Sequence, residues 1–403
     1  MLTSLAIRRR AINADAKPQI PSAQALSPRV AVSRDALRFY GLIAAVVLVW
    51  LAFAIATDGI FLSPRNFSNL IRQTAISGIL AVGMLLVMIA GQIDFSVGSL
   101  VGLSGMVAVL AQVSWHWGLI GSLLAGLITG LAVGALQGVL TAYVGIPSFI
   151  VTIGGLLVWR GLARGLSSGN TYPVAVRSFK TLGQSYLSPA TGIALAVAAV
   201  LATAWLVMRQ NQLRGSQSVP HWTPISLVLR MVVPSALIIG CVYALNGYAG
   251  VPVPAVILLA VAAAVALGLH NTAAGRTLYA VGDHSETARP SAVITRSHVT
   301  SAFCVLGLLA ALVGMIYSAR VGSASPDAGA LLEIDAIAAC VIGGASLAGG
   351  RGTVLGALLG ALFMASLDSG MSLKNVPDFV QAIVKGSILV AAVGLDTMVR
   401  RKD

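Results

Sequence analysis

The chain has 403 residues, 57% of them hydrophobic and only 10% charged, with a mean hydropathy of +0.90. A soluble domain carries about 25% charged residues, so these side chains cannot cover a water-facing surface, and a soluble globular protein is excluded in favour of one embedded in a lipid bilayer. The formal charge of +13 does not point to nucleic acid, because the basic residues sit between apolar runs instead of forming a stripe on a polar domain.

Residues 1–37 form a basic amino-terminal segment with Arg8, Arg9, Arg10, Lys17, Arg29 and Arg34. It lacks the short apolar stretch and small-residue cleavage site of a signal peptide, and is expected in the cytoplasm. From 38 to 400 the chain reads as one transmembrane domain. A helix needs about 17–25 largely apolar residues to cross the hydrocarbon core. Runs of this kind fall near 38–57, 70–90, 97–113, 118–140, 147–165, 190–208, 231–246, 253–270, 299–319, 334–349, 352–368 and 379–397. The fold class is therefore all-α, a polytopic integral membrane protein with about 10–12 transmembrane helices. Several runs are short and interrupted by glycine, which fits half-helices. With the amino terminus inside and every run crossing, the cytoplasmic segments hold 17 of the 26 Lys and Arg. That bias places both termini in the cytoplasm, although Arg65, Arg177 and Lys180 fall outside.

The second and third runs are separated by Gly91-Gln-Ile-Asp-Phe-Ser-Val-Gly98. A carboxylate at membrane depth costs roughly 2.5–3.5 kcal/mol on insertion scales and normally faces protein or water. Gly91, Gln92, Asp94, Ser96 and Gly98 are thus candidates for a gate or pathway element at a helix break. A plain turn or helix cap, with Asp94 accepting backbone N–H bonds, is compatible with the same residues. Segments 166–189 and 321–333 are rich in turn formers and read as landing surfaces outside the membrane, or as mere connections.

The stretch 271–298 is the most polar internal one and lies in the cytoplasm in this topology. Ser285–Arg289 can form a short helix with Asp283 and Glu286 near its amino end, where the helix dipole favours acids. A cytoplasmic motor could push on such a helix; a solvated linker is the bland alternative. Further on, 342–356 echoes 89–102 with one residue inserted, which suggests a parallel internal pseudo-repeat of the kind transporters use. Gly343-Gly-Ala-Ser-Leu-Ala-Gly-Gly-Arg-Gly352 lacks the Gly-Lys-Ser/Thr ending of a phosphate-binding loop, and no such ending occurs elsewhere. The chain is therefore not expected to hydrolyse ATP. Cys241, Cys304 and Cys340 lie in apolar runs without CxxC spacing, and the five histidines show no ligand spacing. No metal, cofactor, disulfide or catalytic set is expected.

These motifs resemble the permease subunits of bacterial sugar ABC importers, the group that includes the ribose and xylose permeases. Gly91–Gly98 is similar to that family's Gly-Gly-Ile-Asp-Leu-Ser-Val-Gly. Gly275-Arg-Thr-Leu-Tyr-Ala-Val-Gly282, followed by Glu286-Thr-Ala-Arg289, resembles its cytoplasmic coupling loop. The likeness to the xylose branch is densest over 333–350, 364–372 and 383–387, and includes Leu245-Asn-Gly-Tyr-Ala-Gly-Val-Pro252, which the ribose type lacks. The resemblance implies a type II-like ABC importer permease in the bacterial inner membrane, moving a monosaccharide. It implies cytoplasmic ATPase subunits, a periplasmic sugar-binding protein and a second permease copy as partners. Gly282, Asp283, Glu286, Thr287, Ala288 and Arg289 are the ATPase-coupling residues it implies. Two departures stand out: Gln92 replaces the family's second Gly, and Pro290-Ser-Ala-Val293 replaces Leu-Ser-Gly-Ile. A proline there would disfavour helix at Arg289 and remove an N–H. A permease of this fold for ribose, another sugar, a nucleoside or a branched-chain amino acid stays open. So does an ion-coupled secondary transporter, which needs paired intramembrane acids; Asp335 and Asp368, near segment ends, are weaker candidates than Asp94.

Overall fold

The computed structural model describes residues 34–216, 222–283 and 292–400. Fourteen α-helices account for most of them: α1 (Arg34–Ala56), α2 (Pro64–Ile89), α3 (Val97–Val113), α4 (Leu119–Val139), α5 (Ser148–Ser167), α6 (Arg177–Gln184), α7 (Pro189–Ser216), α8 (Pro224–Asn246), α9 (Val253–Asn271), α10 (Ala273–Gly282), α11 (Ala292–Val321), α12 (Leu332–Ile342), α13 (Val354–Leu373) and α14 (Asp378–Arg400). Among the described residues nine helices are long and apolar enough to cross a membrane, and α14, at 23 residues, is also of spanning length. Each of the twelve apolar runs meets a helix. Two of these are short, α3 with 17 residues and α12 with 11, and both are largely buried.

Three boundaries differ from the hydropathy reading, each for a local reason. α2 begins at Pro64, before the apolar run, because Ser63 caps it by accepting from Asn66 N and Pro64 takes the first helical position. α8 likewise begins at Pro224, behind the Thr223 cap. α12 stops at Ile342 instead of running to 349, because Gly344, Gly349, Gly350 and Gly352 all have positive φ and carry the chain through a non-helical segment to α13.

The core is built around α2, α3 and α11, with α13 laid along α2. Lipid supplies no hydrophobic drive between helices, so close backbone approach must hold them together. α4 meets this with Gly126, Gly130, Gly134 and Gly138, one every fourth residue and so on one face; a Cβ at Gly130 would run into the backbone of Gly307 on α11. α7 and α8 lie at the periphery with most of their large apolar side chains exposed.

The two ends of the bundle differ. At one end α10 meets the breaks between α2 and α3 and between α12 and α13. At the other, α6 packs on the last turn of α11, and two small antiparallel pairs form: β1 (Tyr172–Pro173) with β4 (Ser323–Ala324), and β2 (Tyr186–Leu187) with β3 (Val251–Pro252). The segments 166–189 and 321–333, read separately from sequence, are joined by the first of these pairs. Arg164 adds an ion pair to Asp327 at 2.7 Å.

Candidate functional site

The break after α2 is set by Gly91, whose φ of +73° is a left-handed conformation that glycine adopts without a Cβ penalty. Leaving the helix frees backbone groups, and at membrane depth each must find a partner inside the protein. Asp94, only 1% exposed, serves this purpose. Its Oδ1 accepts from Ser96 N at 2.7 Å and lies 2.7 Å from Ser96 Oγ, an Asx-type turn leading into α3. Its Oδ2 lies 3.2 Å from the Gln137 amide of α4, which donates to it in the orientation that satisfies both ends. In that orientation Gln137 Oε1 accepts from Trp159 Nε1 of α5 at 3.2 Å and sits 2.5 Å from Ser96 Oγ. The break is further tied to α5 by Ile93 N donating to Ser148 Oγ at 3.4 Å and Thr152 Oγ1 donating to Ile93 O at 3.4 Å.

The other candidates of this motif have separate surroundings. Gln92 is half-buried and does not reach Asp94's partners; it lines a hollow of about 300 Å³ with Thr141, Ile146 and Arg296. Its φ is not left-handed, so glycine is not required there. Gly98 packs where a side chain would collide with Glu333 and the carbonyl of Gly329 at the start of α12, which brings the amino ends of α3 and α12 together.

The coupling candidates divide. Glu286, Thr287, Ala288 and Arg289, and with them Pro290 and the expected helix over Ser285–Arg289, lie outside the described residues. Gly282 and Asp283 end α10, a helix the sequence reading did not separate from the polar stretch. Thr272 caps it, accepting from Gly275 N at 3.0 Å. Gly282 sits against the carbonyl of Ile89, the last residue of α2, and against Gly350 N. Gly350 N itself donates to Ile89 O at 2.9 Å. A Cβ at Gly349 would lie 2.8 Å from Gly282 O and 2.9 Å from Gly91 Cα. Tyr279 Oη donates to Gly352 O at 2.8 Å; burial raises its phenol above the usual range, keeping the proton available. Gly91 from the first candidate set and Gly282 from the second thus meet, through Gly349, in one backbone junction.

The sequence reading missed several polar groups. Gln137 and Trp159 stood alone in apolar runs, and only their polarity could have drawn notice. Lys385 of α14 binds both Asp335 Oδ2 (3.0 Å) and Asp368 Oδ1 (2.8 Å). The weaker acid candidates are therefore brought together and share one lysine. No group of three or more His, Cys, Asp or Glu suited to a metal ion occurs among the described residues.

Residues 66–393 match the family described as branched-chain amino acid transport system / permease component. The chain is 44% identical over 370 residues to the Xylose transport system permease protein XylH of Escherichia coli (strain K12), covering 91% of this chain and 93% of that protein. It is 43% identical over 373 residues to its namesake from Haemophilus influenzae, covering 91% and 98%. To the Ribose import permease protein RbsC of Escherichia coli (strain K12) it is 33% identical over 355 residues, covering 88% and 92%. No solved structure matches the chain. The chain belongs to this family of transport-system permease components, which makes it a multi-pass membrane protein and not itself an enzyme.

Proposed function

We infer that this chain is the membrane-spanning subunit of an ATP-driven bacterial importer, and that its cargo is the pentose D-xylose. The cargo rests on the margin of similarity, 44% to the xylose permease against 33% to the ribose permease, along most of the chain in both cases. The observation that carries the mechanism is the junction of Gly282 with Ile89, Gly91 and Gly350. A motor pressing on α10 moves both helix breaks together, because no side chain lies between the three backbones to absorb the displacement. A ligand or motor shifts a two-state element only by contacting its states differently, and the sequence segment from Gly282 and Asp283 through Glu286 to Arg289 is where the ATPase subunits make that contact.

The end bearing α10 is the cytoplasmic one, in agreement with Arg209, Arg214, Arg230, Arg276, Arg296 and Arg351, and both termini lie on that side of the inner membrane. The sugar-binding protein docks on the opposite end, where β1 and β4 join the two long loops. Asp94 acts as a positioning residue, fixing the start of α3. A second copy of the permease faces α5. Arg160 lies roughly 18 Å along that helix by its rise per residue, and Arg164 is 59% exposed in its side chain. Guanidinium groups at such depth face water or protein in preference to lipid; Arg160 turns its Nε and Nη2 into the protein, and it is the exposed Arg164, paired with Asp327, that points this flank towards the passage between the copies.

Reconstitution with the ATPase and binding protein is the test. Labelled xylose is expected to enter vesicles only with ATP, and in preference to ribose. Glu286→Lys is expected to leave ATP hydrolysis running while uptake falls. The Asp335–Lys385–Asp368 cluster favours an ion-coupled carrier as the second reading. Accumulation driven by a proton or sodium gradient, in vesicles containing this chain alone, would establish that reading and end the first.

A further inference from the structure

A polar chamber of about 380 Å³ opens between α2, α11, α12 and α13, at the end of the bundle away from α10. Gln73, Ser77, Tyr317, Arg320 and Asp368 supply its polar wall, and Ile76 lies among them. By helix rise Gln73 is roughly 14 Å along α2 and Asp368 roughly 8 Å from the end of α13, so the chamber sits within the membrane-spanning part and not on a loop. Its volume falls in the range of small-molecule sites, about 300–1,000 Å³. An amide, two hydroxyls and a pair of opposite charges on one apolar-backed hollow are unusual in a chain with 10% charged residues.

The charges in the wall are already engaged. Arg320 Nη2 donates to Asn69 Oδ1 at 2.8 Å, and Asp368 is paired with Lys385. Arg320 and Asp368 line the same hollow, so Asp368 opposes an anionic ligand and Arg320 a cationic one. A neutral molecule with many hydroxyls can use both. Gln73 Oε1 is buried and makes no hydrogen bond, a state that costs free energy until a donor arrives.

We propose that this chamber is a transient binding station for a neutral polyhydroxylated molecule of pentose size, with Gln73, Ser77 and Tyr317 hydrogen-bonding its hydroxyls and Ile76 packing on its C–H face. The station rests on the import reading above, and places the sugar between its release at the outer end and the passage beyond. A few neutral hydrogen bonds suit a station that must release what it binds, since transit requires binding strong enough to enter and weak enough to leave.

Two measurements on the full complex in vesicles test it. In the first, Gln73→Leu and Tyr317→Phe are compared with the parent for xylose moved per ATP hydrolysed. Each is expected to lower that ratio about fivefold, the weight of one hydrogen bond, while ATP hydrolysis stimulated by the loaded binding protein is unchanged. Tyr317→Phe removes a single oxygen and keeps the ring, so loss of folding does not confuse the result. In the second, Gln73→Cys is labelled by a membrane-impermeant thiol reagent in a background with Cys241, Cys304 and Cys340 replaced by Ala. Xylose is expected to slow labelling and inorganic phosphate to leave it unchanged. A parent that transports xylose while both variants keep its ratio overturns the station, as does protection by phosphate equal to that by xylose. A parent that moves no pentose at all overturns the import reading instead, and the labelling protection then decides the station alone.

Discussion

The two helix breaks that meet α10 are closed by different means. Between α2 and α3 one glycine makes the turn and side chains satisfy the freed backbone: Asp94 takes Ser96 N, and Gln137 and Trp159 complete the chain into α4 and α5. Between α12 and α13 the polar work is mostly backbone to backbone. Ser346 N donates to Arg351 O at 3.0 Å, and Gly349 N to Ser346 O at 3.2 Å; among side chains, Ser346 Oγ takes Ala348 N at 3.1 Å. Four glycines with positive φ allow that path. The same requirement, that no peptide group be left unpaired in a buried interior, is therefore met once chiefly by side chains and once chiefly by the backbone itself. The first solution anchors the break to neighbouring helices; the second leaves a smooth surface on which α10 can rest.

If the second break works by bare backbone contact, the smallest side chain should damage it. Gly282→Ala places a methyl group against the Ile89 carbonyl and Gly350 N, atoms that cannot rotate away. Overpacking of this kind typically costs 1–3 kcal/mol and sometimes more; with backbone on both sides about 3 kcal/mol is expected. Thermal unfolding of the solubilised protein should show the loss, and uptake per ATP should fall further than stability alone accounts for. Normal uptake in Gly282→Ala would mean that the junction does not transmit motion.

The first break should instead be sensitive to removing a side chain. Asp94→Ala leaves Ser96 N without its acceptor in a buried site, at a cost of about 2 kcal/mol for the unsatisfied group. Asp94→Asn keeps an oxygen for Ser96 N and should lose less. The contrast is measured by unfolding temperature and by xylose uptake across the three proteins. Parental uptake in Asp94→Ala would remove Asp94 from any part in positioning α3.

Much of this contrast was visible before the structure, though unevenly. The apolar runs gave the helices because length and hydropathy are imposed by the bilayer itself, whereas the early end of α12 did not show, since its run extends to 349 and the helix stops at Ile342. Asp94 stood out because a lone acid between apolar segments needs a reason. What the sequence hid were pairings across distance. Gln137 is 43 residues from Asp94, and Lys385 is 50 from Asp335; each is a single polar residue in an apolar run, with no local pattern to name its partner. α10 was hidden for another reason. Its Gly275 and Gly282 lower helix propensity, and only the Thr272 cap and the packing on Ile89 make a helix of that stretch.

The mildest expected effect falls on Gln92, where the chain departs from its family's motif. Were the local turn at fault, restoring glycine would improve function. Gly91, not Gln92, carries the left-handed φ, and Gln92 N donates to Val87 O at 3.0 Å, a bond that either residue can make. Gln92→Gly should therefore change stability by less than about 1 kcal/mol, in the destabilising direction, through the greater freedom of glycine in the unfolded chain. Uptake should stay near the parental value, because Asp94 draws its bonds from Ser96 and Gln137. A clear rise in uptake would show that the side chain of Gln92, facing the hollow with Arg296, restrains the break from the α10 end, and that the first break, like the second, is controlled from that side.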